Sequence, residues 1–138
     1  MANQTAVVIG GGIAGPAVAL FLMRAGYRPR VFEAHEAASD IGGGLQIAPN
    51  GMGVLNELGL AETVRRAGME SAQFCFENQF GKTLGCISNG PASRYAFPAT
   101  QIRRSLVHHI LLDALAQQDI PIHYSKRLTR ITANGDEV

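Results

Sequence analysis

Residues 5–15 read Thr-Ala-Val-Val-Ile-Gly-Gly-Gly-Ile-Ala-Gly, an apolar run that passes directly into a cluster of glycines. The run at 5–9 is short, rich in β-branched residues and continuously apolar, which is typical of a strand buried on both faces of a parallel sheet. From Ala14 to Ala25 the pattern predicts a helix, with Pro16 in its first turn and Gly26 at its C-terminal end. The stretch therefore predicts a strand, a tight glycine turn and a helix in direct succession.

A second predicted strand, Arg30–Glu33, follows this helix. Two parallel strands need a crossover of this kind, so the segment predicts a βαβ unit. A third parallel strand is predicted at 121–124, after a long helix at about 103–118. The predicted fold class is α/β, a Rossmann-like βαβ domain with a parallel sheet and one β-hairpin excursion.

The middle of the chain supplies shorter elements and that hairpin. We predict a short strand at 45–47, after which Pro49-Asn50-Gly51 breaks the chain before helices at about 52–58 and 60–67. In residues 71–98, aromatic and aliphatic side chains are spread through two β-like runs with a turn between them, which predicts the hairpin.

Composition and charge exclude several classes of partner. The chain has 138 residues, about one domain, and twelve basic against eleven acidic residues give a net charge of +1. That balance offers no electrostatic reason to expect nucleic acid or an anionic membrane.

Residues 1–23 carry no charged side chain, so they lack the basic start of a signal peptide. Their glycines and Pro16 fit a break between two elements better than a membrane helix, so we expect a cytoplasmic protein.

The two cysteines, Cys75 and Cys86, stand eleven residues apart, with no CxxC pair and no His-rich tract beside them. In a cytosolic protein this arrangement favours two reduced thiols over a disulfide or a metal site. We therefore expect no metal and no disulfide.

Each glycine of the turn has a physical purpose if the turn binds a dinucleotide. Gly10 permits the tight turn, Gly12 lets a diphosphate approach the backbone, and Gly15 lets helix and strand pack closely. Ile13 and Ala14 complete the turn at the start of the helix, whose unpaired N–H groups and partial positive charge favour a diphosphate.

The acidic partner of this turn is Glu33, at the end of the second strand and 21 residues past Gly12. A carboxylate there can accept both hydroxyls of an adenosine ribose, and it would repel a 2′-phosphate. The pattern therefore indicates FAD or NAD rather than NADP at this site. The alternative is a purely structural glycine turn with a solvated surface glutamate.

Three stretches of the sequence together narrow the choice between FAD and NAD. The first runs from the glycine cluster to Val31-Phe32-Glu33; the second is Gly42-Gly43-Gly44-Leu45-Gln46-Ile47-Ala48-Pro49-Asn50-Gly51 with Leu55–Leu60 after it; the third is Arg103-Arg104-Ser105-Leu106. In this order they resemble the single-component (class A) aromatic-ring hydroxylases, the family of para-hydroxybenzoate and salicylate hydroxylases.

The resemblance implies an NAD(P)H-dependent FAD monooxygenase that hydroxylates a small aromatic or heteroaromatic substrate through a flavin C4a-hydroperoxide. The flavin carries that chemistry and the protein positions it, so we assign no catalytic acid or base within 1–138. By the same resemblance, residues 1–70 and 101–138 form the FAD-binding domain, and 71–100 is a hairpin at the start of a substrate domain.

Arg103 can also be argued from the helix predicted after it. Val107, Ile110 and Ala114 share one helical stripe, which places Arg103 at the head of an apolar face. An unpaired charge there is costly, so Arg103 should have a buried anionic partner or reach the rim of a site. By resemblance the partner is the FAD pyrophosphate; the alternative is a carboxylate of the protein. Arg104 ranks second.

The remaining cofactor assignments come from the resemblance alone. Gly44 opens a segment, 44–51, expected to form backbone walls near the flavin ring, and Leu128 matches a position whose backbone touches adenine, or is an ordinary strand residue. Ala34 follows Glu33 where many relatives carry a basic residue. His108 and His109 are expected to be solvated surface histidines.

Two further flavin signatures of the family, a G-A-D-G-like segment and a later G-D…P segment, do not occur in these 138 residues. Without the strand that the first of them provides, Ala6–Ile9 is expected to be an exposed apolar sheet edge. The expectation is a fragment, or a piece completed by a second chain. The alternatives are a non-catalytic FAD- or NAD-binding module and a related flavin reductase or epoxidase.

Overall fold

The structure is a computed structural model that describes residues 4–38, 42–89 and 96–132. It divides into two compact units: unit 1 comprises residues 1–39 and 111–138, and unit 2 comprises residues 40–110. In chain order the elements are β1 (Thr5–Ile9), α1 (Ala14–Arg24), β2 (Arg28–Phe32), β3 (Gly44–Ile47), α2 (Pro49–Glu57), α3 (Ala61–Ala67), β4 (Met69–Ser71), β5 (Gln73–Glu77), β6 (Thr83–Ser88), β7 (Ala99–Arg103), α4 (Arg104–Gln117) and β8 (Ile122–His123).

Unit 1 contains the predicted βαβ unit. Its three strands form a parallel sheet in the order β1-β2-β8, in which Val8 lies opposite Val31 and Val31 lies opposite Ile122. Helix α1 packs against β1 and β2 through the fully buried Ala19 and Leu20. The predicted α/β class and the third parallel strand are thus confirmed.

Strand β1 lies at one edge of this sheet, and β8 lies at the other. Among the described residues β1 pairs only with β2, and the side chains of Val7 and Ile9 are 61% and 48% exposed. The expected exposed apolar edge is therefore present in the part of the chain that the structure describes. Such an edge presents unpaired N–H and C=O groups beside apolar side chains.

Unit 2 is built on an antiparallel sheet with the order β3-β7-β4, in which Leu45 lies opposite Ile102 and Glu70 lies opposite Thr100. Helices α2 and α3 pack on this sheet and bury Met52 and Val64 completely. Removing each such side chain from water stabilises the unit by about 1.5–3 kcal/mol.

The sequence predictions for the strands and helices of unit 2 were incomplete. Strands β4 and β7 were not predicted. Pro49 does not break the chain before a helix but begins α2, because a proline needs no N–H donor at the first helical position. The predicted hairpin is present as β5 and β6, although residues 90–95 of the predicted segment lie outside the described residues.

The expectation of two reduced thiols was wrong, because Cys75 and Cys86 form a disulfide. The register of the hairpin places these residues directly opposite each other, with 4.1 Å between their Cα atoms. This separation is near that of the closely spaced pairs of an antiparallel ladder, where the side chains are close together. Spacing alone could not reveal the pairing, since it depends on where the turn lies.

Among the described residues, no helix is both long enough and apolar enough to cross a membrane.

Candidate functional site

In the glycine turn of unit 1, a side chain would collide with the backbone at Gly15, whereas the described residues leave space for one at Gly12. An alanine methyl group at Gly15 would lie 1.8 Å from the Gly10 carbonyl oxygen, so helix and strand could not pack as they do. At Gly12 the same test finds no atom of the described residues within 4 Å, which leaves its backbone open to a ligand. Gly10 has a φ of +100°, a conformation that suits glycine.

The first turn of α1 lies directly after these glycines. Its N-cap residue, Ile13, makes no side-chain hydrogen bond to the helix, and no acidic residue occupies the first turn. In the part of the chain that the structure describes, the N-cap side chain therefore leaves the N-terminal N–H groups of α1 uncapped. Together with the helix dipole, such groups favour an anion.

The carboxylate of Glu33 lies against this turn. Its Oε2 atom accepts a hydrogen bond from the Gly11 backbone N–H at 2.6 Å, and the Glu33 side chain is only 15% exposed. Its Oε1 atom is bound twice by His35, from the backbone N–H at 2.8 Å and from the ring Nδ1 atom at 2.7 Å. The sequence placed the carboxylate near the glycines, and the structure brings the two together.

These contacts keep Glu33 ionised. The backbone N–H of His35 is the largest cause and that of Gly11 the next, and together they lower the pKa of Glu33 to about 2 against the opposing effect of burial. Nearby, burial and then the Glu33 charge raise the pKa of Tyr124. The site therefore presents a fixed negative charge at neutral pH.

The backbone around Glu33 is held by the segment that follows β8. The Glu33 N–H donates to the His123 carbonyl and the Lys126 N–H donates to the Glu33 carbonyl, both at 2.8 Å. The rings of Phe32 and His123 stack with 4.9 Å between their centroids. The backbone that carries the Glu33 carboxylate is thus hydrogen-bonded through both its N–H and its C=O group.

Sequence reasoning missed His35. The family pattern places a basic residue at the position of Ala34, whereas the side chain that contacts the carboxylate is that of His35, one residue later. The signal available was a histidine two residues after a carboxylate at a strand end, a spacing at which side chain and backbone can both reach that carboxylate.

Unit 2 contains a cavity of about 710 Å³. It is lined by parts of β3 and β7, the end of α3 and the start of α4: Gly44, Leu45, Gln46, Ala67, Gly68, Met69, Gln101, Ile102, Arg103 and Leu106. Among the described residues, an alanine methyl at Gly44 would meet only the Ile102 carbonyl oxygen, at 3.9 Å, so this part of the wall is open backbone.

The predicted position of Arg103 was wrong in one respect. Arg103 is the last residue of β7 and is exposed; it does not head the apolar face of α4. Thr100 and Ile102 point into the core of unit 2, and strand alternation turns Arg103 to the other face. Of the two expectations for Arg103, the position at the rim of a site agrees better with the structure than the buried ion pair, because Arg103 lines the cavity of unit 2.

The lower-ranked candidates differ in their surroundings. The side chain of Arg104 packs beside Gly42, with its Cδ atom 3.2 Å from the position of an added methyl, and is not among the residues that line the cavity. Leu128 is 45% exposed and lies outside the helices and strands. His109 is exposed and His108 half-buried, as expected of surface histidines.

Comparisons with known proteins show the family of this chain. A family model described as "FAD binding domain" matches residues 3–138. The chain is 41% identical to 3-amino-4-hydroxybenzoate 2-monooxygenase PtmB3 of Streptomyces platensis, over 78% of this chain and 28% of that protein. It is 33% identical to 3-hydroxybenzoate 6-hydroxylase of Polaromonas naphthalenivorans, over 99% of this chain and 34% of that protein.

Among solved structures, the fold is similar to Klebsiella pneumoniae HpxO complexed with FAD and uric acid. The TM-score is 0.83 at 23% identity, over 98% of this chain and 34% of that one. At this identity the likeness concerns the fold. The chain spans about a third of the length of the proteins it matches.

Proposed function

The chain belongs to the FAD binding domain family, and from that premise we propose that the whole protein is an NAD(P)H-dependent flavoprotein monooxygenase acting on a small aromatic or heteroaromatic ring. The observation that carries the proposal is the ionised Glu33 carboxylate hydrogen-bonded to Gly11 of the glycine turn. The names of the relatives, both ring-hydroxylating enzymes of hydroxybenzoates, support the reaction type.

The residues of unit 1 fit the adenosine diphosphate half of FAD. The open backbone at Gly12 and the uncapped start of α1 suit a diphosphate, and the Glu33 carboxylate suits ribose hydroxyls. We propose that unit 1 binds FAD through the turn and strand-end residues Gly10, Gly12, Ile13, Ala14, Gly15, Glu33 and Ala34, with the backbone of Leu128 at the adenine.

The cavity of unit 2 offers further groups that suit the cofactor. We propose that Arg103 is the anion-binding residue of its cavity, and that the open backbone at Gly44 lies beside the flavin. A guanidinium can grip a pyrophosphate with two hydrogen bonds. When bound, FAD supplies the redox and oxygen-transfer chemistry, whereas the residues of this chain bind and orient it.

The domain assignment and the location are proposals as well. We propose that residues 71–100, which include β5 and β6, begin a substrate domain while 1–70 and 101–138 serve the flavin. We also propose that the protein is cytoplasmic, a compartment in which the Cys75–Cys86 disulfide would be unusual. The charge balance of +1 favours neither nucleic acid nor an anionic membrane as partner.

Arg103→Ala is expected to weaken FAD binding by about tenfold, because a charged hydrogen-bond donor to the cofactor is removed. Flavin fluorescence titration of the purified full-length protein measures the change. Arg104→Ala is the matched control, since Arg104 is not among the residues lining the cavity, and its effect should be smaller. Equal losses from both variants would contradict the assignment of Arg103.

The test of the proposed function is NAD(P)H oxidation by the full-length protein with and without candidate aromatics. Hydroxybenzoates, aminohydroxybenzoates and hydroxynicotinates form the first panel. We expect at least one of them to stimulate oxidation and to yield a product heavier by one oxygen atom in mass spectrometry. If bound FAD is never reduced, or is reduced without any hydroxylated product from a broad panel, the monooxygenase proposal fails.

A further inference from the structure

The hydrogen-bond capacity of the Glu33 carboxylate is nearly used before any ligand arrives. A carboxylate offers about four acceptor positions, two on each oxygen. In the described residues Oε1 accepts two hydrogen bonds from His35, and Oε2 accepts one from Gly11. One position, on Oε2, is left by this count, whereas a ribose presents two hydroxyl donors.

One of the three donors must therefore give way if both hydroxyls are to bind, and the donors differ in how easily they can move. The Gly11 and His35 N–H groups belong to the backbone, and the His35 carbonyl is itself held by the Ser125 N–H at 2.8 Å. The His35 side chain, by contrast, is 80% exposed and turns about two single bonds. The imidazole ring is the donor that can leave without displacing main chain.

The imidazole ring can also donate a hydrogen bond to the carboxylate, as a ribose hydroxyl would. The pKa of Glu33, at about 2, leaves its carboxylate an acceptor only, so the Nδ1 atom at 2.7 Å carries the hydrogen. Its donor distance to Oε1 is close to that of a hydroxyl donor to a carboxylate.

We infer that the His35 ring occupies one ribose-hydroxyl position on Glu33 Oε1 in the free protein and rotates away when FAD binds. The inference rests on the proposed role of Glu33. It makes His35 a residue that sets FAD affinity by competition. The apparent affinity for FAD equals the intrinsic affinity multiplied by the fraction of molecules whose ring is already off the carboxylate.

The test compares FAD binding to the full-length apoprotein and its variants by flavin fluorescence titration. His35→Ala keeps the backbone N–H and removes the ring, so we expect FAD to bind about two- to fivefold more tightly, the range of an exposed ion pair. His35→Asn keeps a neutral donor near the Nδ1 position and should stay closer to the wild type. His109→Ala, an exposed histidine of α4, is the control.

Unchanged or weaker FAD binding by His35→Ala would overturn the inference, because a residue that positions the carboxylate would show that result. Glu33→Gln is measured in parallel and separates two failures. If Glu33→Gln weakens binding while His35→Ala does not tighten it, the role of His35 alone is wrong. If Glu33→Gln has no effect, the proposed role of Glu33 is wrong and the inference falls with it. Thermal unfolding of each apoprotein checks that the fold is retained.

Discussion

Gly15→Ala is expected to destabilise unit 1 by at least about 3 kcal/mol and to abolish FAD binding. The added methyl would lie 1.8 Å from the Gly10 carbonyl oxygen, and a backbone atom cannot rotate out of the way as a side chain can. Alanine favours the helix over glycine by only about 1 kcal/mol, so the clash decides the sign. Urea unfolding followed by circular dichroism measures the loss.

The matched control is Gly12→Ala, since an added methyl there meets no atom within 4 Å in the segments that the structure describes. We expect the stability of this variant to remain within about 1 kcal/mol of the wild type. Its FAD binding should nevertheless weaken, because the methyl occupies space that the proposed diphosphate needs. Wild-type stability of Gly15→Ala would show that the helix and strand are not packed as described.

Glu33→Ala is expected to weaken FAD binding by about 1–3 kcal/mol, or about 5- to 150-fold, through the loss of charged hydrogen bonds to the ribose. Fluorescence titration with FAD measures the change. Glu36→Ala is the control, because Glu36 is an exposed glutamate of the same loop. An affinity of Glu33→Ala equal to that of the control would remove Glu33 from the site.

The lowered pKa of Glu33 also bears on stability against pH. A carboxyl whose pKa falls from 4.5 to about 2 on folding stabilises the folded state fully above pH 4.5, and this contribution is lost as pH falls toward 2. Glu33 is therefore one of the groups expected to contribute to acid unfolding in this window.

The elements predicted correctly are those whose signal is local. The β-branched run of β1, the glycine turn and the helix after it lie within twenty consecutive residues, so one window holds the whole pattern. Strand β7 carries no such signal. Its five residues lie directly before a strongly helical run, and its pairing partners β3 and β4 are distant in sequence.

That missed strand explains the error at Arg103. Extending the helical period back to residue 103 placed the arginine on an apolar helix face, whereas the strand continues to that residue and the two-residue period turns it outward. The disulfide was missed for a similar reason, because it depends on the register of the hairpin. The His35 contact was missed although its two-residue spacing is local, because it needs the backbone after Glu33 to turn back toward the carboxylate. The carboxylate at the glycine turn could be predicted because strand ends of a βαβ unit meet at one edge.

Unit 1 is discontinuous in sequence, since all of unit 2 is inserted between its two parts. Strand β2 must wait for its second neighbour, because Val31 pairs with Ile122 about 90 residues later. During synthesis on the ribosome all of unit 2 is therefore polymerised before β8. Closing so long a loop is slow, although its entropy rises only gently with length. We expect the pairing of β2 with β8 to form last, after the inserted unit has folded.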